Sequence, residues 1–248
     1  MNRLGIIDWG IGGVSIYKLI KQRLGDLPVT YFSDTGVTPY GKMSRRELVT
    51  RLDTVISYLK DRGVTHIVIG CNAASTAIDY LNDNGIPVEG VIESAVAATV
   101  KLRPARLGLI GGRRTVLSGV YRDAFAKRGI AVEQRIAQPL SGLIEKGDVS
   151  SDTLRGAAER ILRPIRNCSH ILLACTHYPA IAPVLTEMVS ANTTFVDPAS
   201  ELVAKVVNWD LRGRGTDVFW TSGDVAAMRT AAKCAFGVDV VGAEKVTL

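Results

Sequence analysis

Two cysteines stand at matching places in a chain that reads twice. The stretch His66-Ile-Val-Ile-Gly-Cys71-Asn72 returns as His170-Ile-Leu-Leu-Ala-Cys175-Thr176, and Leu4-Gly-Ile-Ile returns as Leu107-Gly-Leu-Ile at nearly the same offset. Two matches in the same order mark an internal repeat. If the halves face each other about a pseudo-twofold axis, Cys71 and Cys175 meet across a cleft. A thiolate accepts a proton and a thiol donates one. Sulfurs on opposite sides of one carbon remove a proton from one face and return it to the other, which inverts a stereocentre. That chemistry needs neither a metal nor a pyridoxal cofactor. Its obstacle is the weak acidity of a Cα–H beside a carboxylate. The site must exclude water and direct hydrogen-bond donors or positive charge at the carbanion. A free thiol titrates near ~8.5, so the sulfurs also need neighbours that stabilise their charge. Asp8 and His177 are the residues best able to tune the sulfurs or relay protons to them.

Other chemistries compete for these residues. A cysteine is more often packed than reactive, and Cys168 and Cys234 are assigned to packing. Cys175 and His177 with Cys71 and Asp8 could bind zinc, although Cys-x-His is not a usual zinc spacing. Cys175 and His177 could also form a nucleophile–base pair of the amidase type, which does not need a second, symmetric cysteine. Asp8 followed by Gly10, Gly12 and Gly13 suggests a phosphate loop, but with neither the dinucleotide nor the P-loop spacing. His66 and His170 open their strands, away from the cleft, and read as structural.

The elements that must position these groups alternate strand and helix. Short apolar runs predict strands over Leu4–Asp8, Val29–Ser33, His66–Cys71, Val88–Val91, Arg106–Ile110, Ala131–Arg135, His170–Cys175, Thr194–Asp197 and Asp217–Thr221. Helices are expected at Val14–Leu24, Ala73–Leu81, Val116–Arg128, from Ser151 or Asp152 to about Asn167, and after Pro179. Ser44-Arg-Arg-Glu47 has capping-box spacing and should open a helix through Asp61, closed by Gly63. The alternation predicts an α/β protein: two similar doubly wound domains with parallel-rich sheets and the active site between them. The expected boundaries place 1–94 with 205–248 in the first domain and 95–204 in the second. Ligands bind at the carboxyl ends of parallel strands. Those ends are Asp8, Asp34 with Thr35 and Pro39-Tyr40-Gly41, Cys71-Asn72, and Cys175-Thr176-His177.

Bulk properties narrow the class. The chain has 248 residues and 26.7 kDa, with 47% hydrophobic and 22% charged residues, a globular balance. Its apolar runs are far shorter than the ~20 residues of a membrane span. The start, MNRLGIIDWG, is too short an apolar run and too soon charged for a secretory signal. Four cysteines, none in a CxxC, argue against a disulfide scaffold and point to a reducing cytoplasm. The net charge of +6 is scattered and aromatics make up 6%, which favours small anionic substrates over nucleic acid.

The motifs, taken together, resemble the glutamate racemases of the cofactor-independent aspartate/glutamate racemase superfamily. They are Asp8-Trp-Gly10-x-Gly-Gly13-x-Ser15, Tyr31-Phe-Ser-Asp34-Thr with Pro39-Tyr-Gly41, Gly70-Cys-Asn-Ala-Ala-Ser75, Gly90-Val-Ile-Glu93, Thr115-Val-x-Ser118, Cys175-Thr-His-Tyr-Pro179 and Phe219-x-Thr-Ser-Gly-Asp224. They span nearly the whole chain in the family's order. The resemblance implies two-base catalysis by Cys71 and Cys175, supported by Asp8, His177 and, from Pro139-Leu-Ser-Gly-Leu-Ile-Glu-Lys-Gly147, Glu145. It implies substrate contacts from Pro39, Tyr40, Gly41, Asn72, Thr115 and Thr176, no cofactor or metal, a homodimer in the cytoplasm, and D-glutamate made for peptidoglycan. Two positions depart from the family. Trp9 stands where it has Ser, and Ala73 where it has Thr, so two hydroxyls are missing from the substrate-holding set. Each buried polar partner lost costs roughly 1–3 kcal/mol. Two uncompensated losses would weaken glutamate binding by ~10²–10⁴-fold. The Trp9 ring either crowds the substrate or turns away into the hinge. Three alternatives follow: racemisation of another amino acid such as aspartate, a non-catalytic binding or regulatory protein on this scaffold, or an isomerase or lyase acting on a dicarboxylate such as maleate.

Overall fold

The computed structural model describes all of residues 1–248. The first half builds β1 (Leu4–Asp8), α1 (Val14–Arg23), β2 (Val29–Ser33), α2 (Arg45–Lys60), β3 (His66–Ile69), α3 (Asn72–Ser75), β4 (Val88–Gly90) and α4 (Val91–Lys101). The second half begins with β5 (Leu107–Gly111), α5 (Arg113–Leu117), α6 (Val120–Ala126), β6 (Val132–Ile136), α7 (Gln138–Ile144) and α8 (Asp152–Leu162). It continues with β7 (His170–Ala174), α9 (Ala182–Thr186), β8 (Thr194–Val196) and α10 (Ala199–Val207). The chain then returns through β9 (Val218–Thr221), α11 (Val225–Phe236) and β10 (Glu244–Lys245).

Two parallel sheets result, ordered β10-β9-β2-β1-β3-β4 and β6-β5-β7-β8. The repeat holds to the residue: Leu4 pairs with His66 in the first sheet, and Leu107 pairs with His170 in the second. Four strands of each sheet follow the same order, and β9 and β10 extend the first. Every residue of β1, β2 and β5 is buried, as a sheet covered by helices on both faces requires. No helix is long and apolar enough to cross a membrane.

Helix boundaries follow local chemistry. Ser44 and Glu47 form the reciprocal capping box at α2, and the Ser151 side chain caps α8. The expected helix over Val116–Arg128 is two helices, because Gly119 takes a left-handed φ of +75° that ends the α5 segment before α6 begins. The helix expected over Ala73–Leu81 is the four-residue α3 followed by a 3₁₀ turn, Ile78–Tyr80. The stretch after Pro179 starts as a 3₁₀ turn, Tyr178–Ile181, and α9 opens at Ala182. The α8 helix stops at Leu162, short of the expected Asn167, because Pro164 has no N–H with which to continue the ladder of helical hydrogen bonds.

Candidate active site

The carboxyl ends of β1 and β3 from one sheet, and of β5 and β7 from the other, converge on one cavity of about 280 Å³. Cys71 and Cys175 both line it. Asp8, Trp9, Pro39, Tyr40, Gly41, Asn72 and Ala73 line it from the first half, and Thr115, Thr176 and His177 from the second. Glu145, at the end of α7, stands behind His177.

The two sulfurs have different surroundings. His177 Nδ1 lies 3.6 Å from Cys175 Sγ, and His177 Nε2 lies 2.6 Å from Glu145 Oε2. Burial alone would favour the neutral imidazole, but the hydrogen bonds to Cys175 and Glu145 outweigh it and hold His177 well above its ordinary range. As an imidazolium, both ring nitrogens donate, one to the sulfur and one to the carboxylate. On the other side, burial and the nearby Asp8 carboxylate push the Cys71 thiol well up, opposed by the backbone N–H groups of Ala74 and Ala73. Asp8 is itself raised by burial, opposed by the charge of His177 and the hydroxyl of Thr176, which donates to Asp8 Oδ2 at 2.9 Å. Cys71 is therefore held as a thiol, and Cys175 faces a cationic donor.

Glycines admit these groups. A Cβ on Gly10 would collide with the Glu145 carboxylate, and one on Gly12 would strike Thr176 Oγ1 and come within 2.7 Å of His177 Nδ1. The glycines after β1 thus make room for side chains of the opposite half, which replaces the phosphate-loop reading. The candidates for a zinc site have other partners: Asp8 is engaged by Thr176 and Gly10, and His177 by Glu145.

Unpartnered polar atoms point to a ligand. Asn72, only 2% exposed, accepts from the Tyr121 hydroxyl at 2.6 Å through Oδ1, which fixes the amide and leaves its buried Nδ2 without a partner. The buried Thr115 hydroxyl also has no partner. Both residues line the cavity. An unmet buried donor costs about 1–3 kcal/mol, so a polar ligand is favoured there. The Tyr40 hydroxyl donates to Asp34 at 2.7 Å, and Asp34 also receives Arg51 and Ser222. Its phenol is committed to anchoring the turn. The Trp9 indole N–H donates to the Val37 carbonyl at 3.1 Å, so the ring is tethered to the loop before Pro39, and it lines the cavity.

Gln138, Ser141 and Lys42 also line the cavity and were not anticipated. Gln138 Oε1 accepts from the Arg113 amide at 3.1 Å, and its Nε2 donates to Ser141 at 3.0 Å. Gln138 opens the helix after β6, so counting that strand's carboxyl end with the others would have found it.

The comparisons agree with this geometry. The family described as Asp/Glu/Hydantoin racemase matches residues 4–206. The glutamate racemase of Synechococcus sp. (strain CC9605) is 34% identical over 219 residues, covering 86% of this chain and 81% of the relative. The crystal structure of glutamate racemase from Francisella tularensis subsp. tularensis SCHU S4 in complex with D-glutamate superimposes with a TM-score of 0.89 at 25% identity, covering 99% of this chain and 97% of that one. The glutamate racemase from Thermus thermophilus in complex with β-chloro-D-alanine gives a TM-score of 0.86 at 26% identity, covering 100% and 97%. With the family matched across most of the sequence and the fold matched across nearly all of it, the chain belongs to the glutamate racemase family of Asp/Glu racemases.

Proposed function

We propose that this chain interconverts L- and D-glutamate by proton transfer at Cα between Cys71 and Cys175. The observation that carries the reading is the placement of these two cysteines, from equivalent strands of two facing sheets, on one cavity with two unpartnered polar groups. Asn72 Nδ2 and the Thr115 hydroxyl hold the substrate's polar groups, with Thr176, Pro39, Tyr40 and Gly41 shaping the walls. Trp9 and Ala73 set the room available to the side chain. One sulfur takes the Cα proton, and the electron pair left on Cα spreads into the α-carboxylate. The opposite thiol then gives its proton to the other face. The product is the enantiomer, and the sulfurs have exchanged roles. In one direction Cys175 is the base, its charged form stabilised by the imidazolium of His177, which Glu145 holds. In the other direction Cys71 is the base, and Asp8, whose carboxylate acts on that thiol, exchanges a proton with it.

Domain boundaries of 1–94 with 205–248, and 95–204, suit this scheme, because each sheet then falls in one domain. Four unpaired cysteines suit a reducing cytoplasm. A homodimer supplying D-glutamate for peptidoglycan is the arrangement the family resemblance supports, and sedimentation tests the dimer.

The test is isotope exchange. Each enantiomer of glutamate, aspartate and a dicarboxylic acid panel is incubated in D₂O with no added cofactor. Deuterium should appear at Cα of glutamate as optical rotation decays to zero. Cys71→Ser and Cys175→Ser should each lower racemisation by about 10²–10⁴-fold, the range for loss of one acid/base group. Tight binding with no deuterium incorporation would overturn catalysis, and exchange confined to aspartate would overturn the substrate.

A further inference from the structure

Arg114 has no place in the proton-transfer scheme, yet it spans the cleft. It stands on α5, beside the cavity-facing Thr115, in the half that carries Cys175. Its Nε donates to the Thr76 hydroxyl at 3.0 Å and its Nη1 to the Met43 carbonyl at 2.7 Å, both in the half that carries Cys71. Thr76 in turn donates to the Ala73 carbonyl at 2.7 Å, so the connection runs into the turn that holds Cys71. Met43 follows the Tyr40–Lys42 turn, which supplies the opposite wall of the cavity. One half-buried guanidinium thus ties Thr115 to both first-half segments that face it across the mouth.

We propose that Arg114 is a positioning residue, a bolt that holds the two halves of the cleft in the substrate-binding arrangement through Thr76 and the Met43 carbonyl. Its effect on turnover rests on the racemase reading above; the bolt itself does not. A guanidinium making two hydrogen bonds in fixed directions favours one arrangement of the segments it joins. Without it, the binding-competent arrangement is a smaller fraction of the population, and apparent affinity falls by that fraction.

The experiment compares wild type with Arg114→Gln, Arg114→Lys, Thr76→Val and the double variant Arg114→Gln/Thr76→Val, each checked for an intact thermal transition. Racemisation kinetics are paired with the rate at which iodoacetamide alkylates Cys175, read by peptide mass spectrometry. Cys175 is the reporter because Arg114 lies close enough to Cys71 for their charges to interact, so Cys71 reactivity would mix access with charge. Arg114→Gln should raise KM roughly tenfold with kcat within about threefold, and speed Cys175 alkylation about tenfold. Thr76→Val, which removes one bond and no charge, should give about threefold in each. The double variant should match Arg114→Gln alone, since both changes break the same connection. Arg114→Lys should recover part of the effect. Unchanged Cys175 alkylation in Arg114→Gln, or additive effects in the double variant, would overturn the bolt. If wild type fails to racemise any amino acid, the racemase reading falls while the alkylation series still decides the bolt. Should Arg114→Gln not fold, Thr76→Val decides by the same alkylation measurement.

Discussion

Glu145→Gln tests the division of labour between the two sulfurs. The substitution keeps the size of the side chain and removes its charge. Glu145 Oε2 accepts from His177 Nε2 at 2.6 Å and from the Ile11 amide at 2.9 Å. A hydrogen bond to a charged group contributes about 1.5–3 kcal/mol, against about 0.5–1.5 for a neutral one, so each bond loses about 1–1.5 kcal/mol. The Ile11 share is the same in every state of the reaction and appears as about 1 kcal/mol of lost stability. The His177 share changes as the imidazolium supports charge on Cys175, so it appears in the rate. It corresponds to roughly a tenfold fall in kcat/KM. Enantiomers are equal in energy, so the fall must be the same in both directions. What differs is the deuterium isotope effect with Cα-deuterated substrate. In the variant the step at Cys175 limits more strongly. The isotope effect should rise for the enantiomer deprotonated by Cys175 and fall toward an equilibrium value for the other. Circular dichroism of each pure enantiomer, protonated and deuterated, measures all four rates. A loss below about twofold, or isotope effects that move together in both directions, would refute the assignment of His177 and Glu145 to Cys175.

Three further outcomes are expected. Gly12→Ala should keep the fold but lower kcat by about 10²-fold, because the added methyl displaces the His177 ring and the Thr176 hydroxyl; racemisation assays with a thermal melt check this. Trp9→Ser should cost about 1–3 kcal/mol in urea denaturation, since it removes a half-buried indole and its bond to Val37, and the larger cavity should shift kcat/KM toward bulkier amino acids. Stability should fall with rising pH. The folded value of His177 is raised, so its stabilisation is full below the unfolded value of about 6.5 and is lost as pH rises through the folded one, and the raised Cys71 thiol adds the same trend above the ordinary thiol value of about 8.5. The thermal midpoint should therefore drop between pH 6 and pH 9.5, less steeply in His177→Gln.

The fold was legible because its signals are periodic and repeated. The buried strands are short apolar runs, and the paired His66 and His170 stretches mark the repeat, whereas the two-residue β10 is too short to register as an apolar run. Cys71, Cys175, Asp8 and His177 stood out because they sit at strand ends, where parallel sheets place ligands. Glu145 could be reached only through the family resemblance, since a carboxylate at the end of a helix carries no spacing of its own. Arg114 left no signal: it lies in a short helix and acquires its role from Thr76 and Met43, both distant in sequence, whereas Gln138 sits just past the carboxyl end of β6, where a fuller count of strand ends would have found it. The breaks at Gly119 and after Ser75 escaped detection because hydrophobic period does not register a single left-handed residue or the end of a four-residue helix.

The return of β9 and β10 to the first sheet has a consequence for biogenesis. The β2 strand borders β9 on one side, so its edge stays bare until the ribosome has delivered residue 221. The second sheet closes entirely within residues 107–196 and can be complete while the earlier half still waits. A nascent chain therefore carries, for a time, a parallel sheet with an open flank, the kind of surface that invites pairing with a neighbouring polypeptide and that chaperones shield.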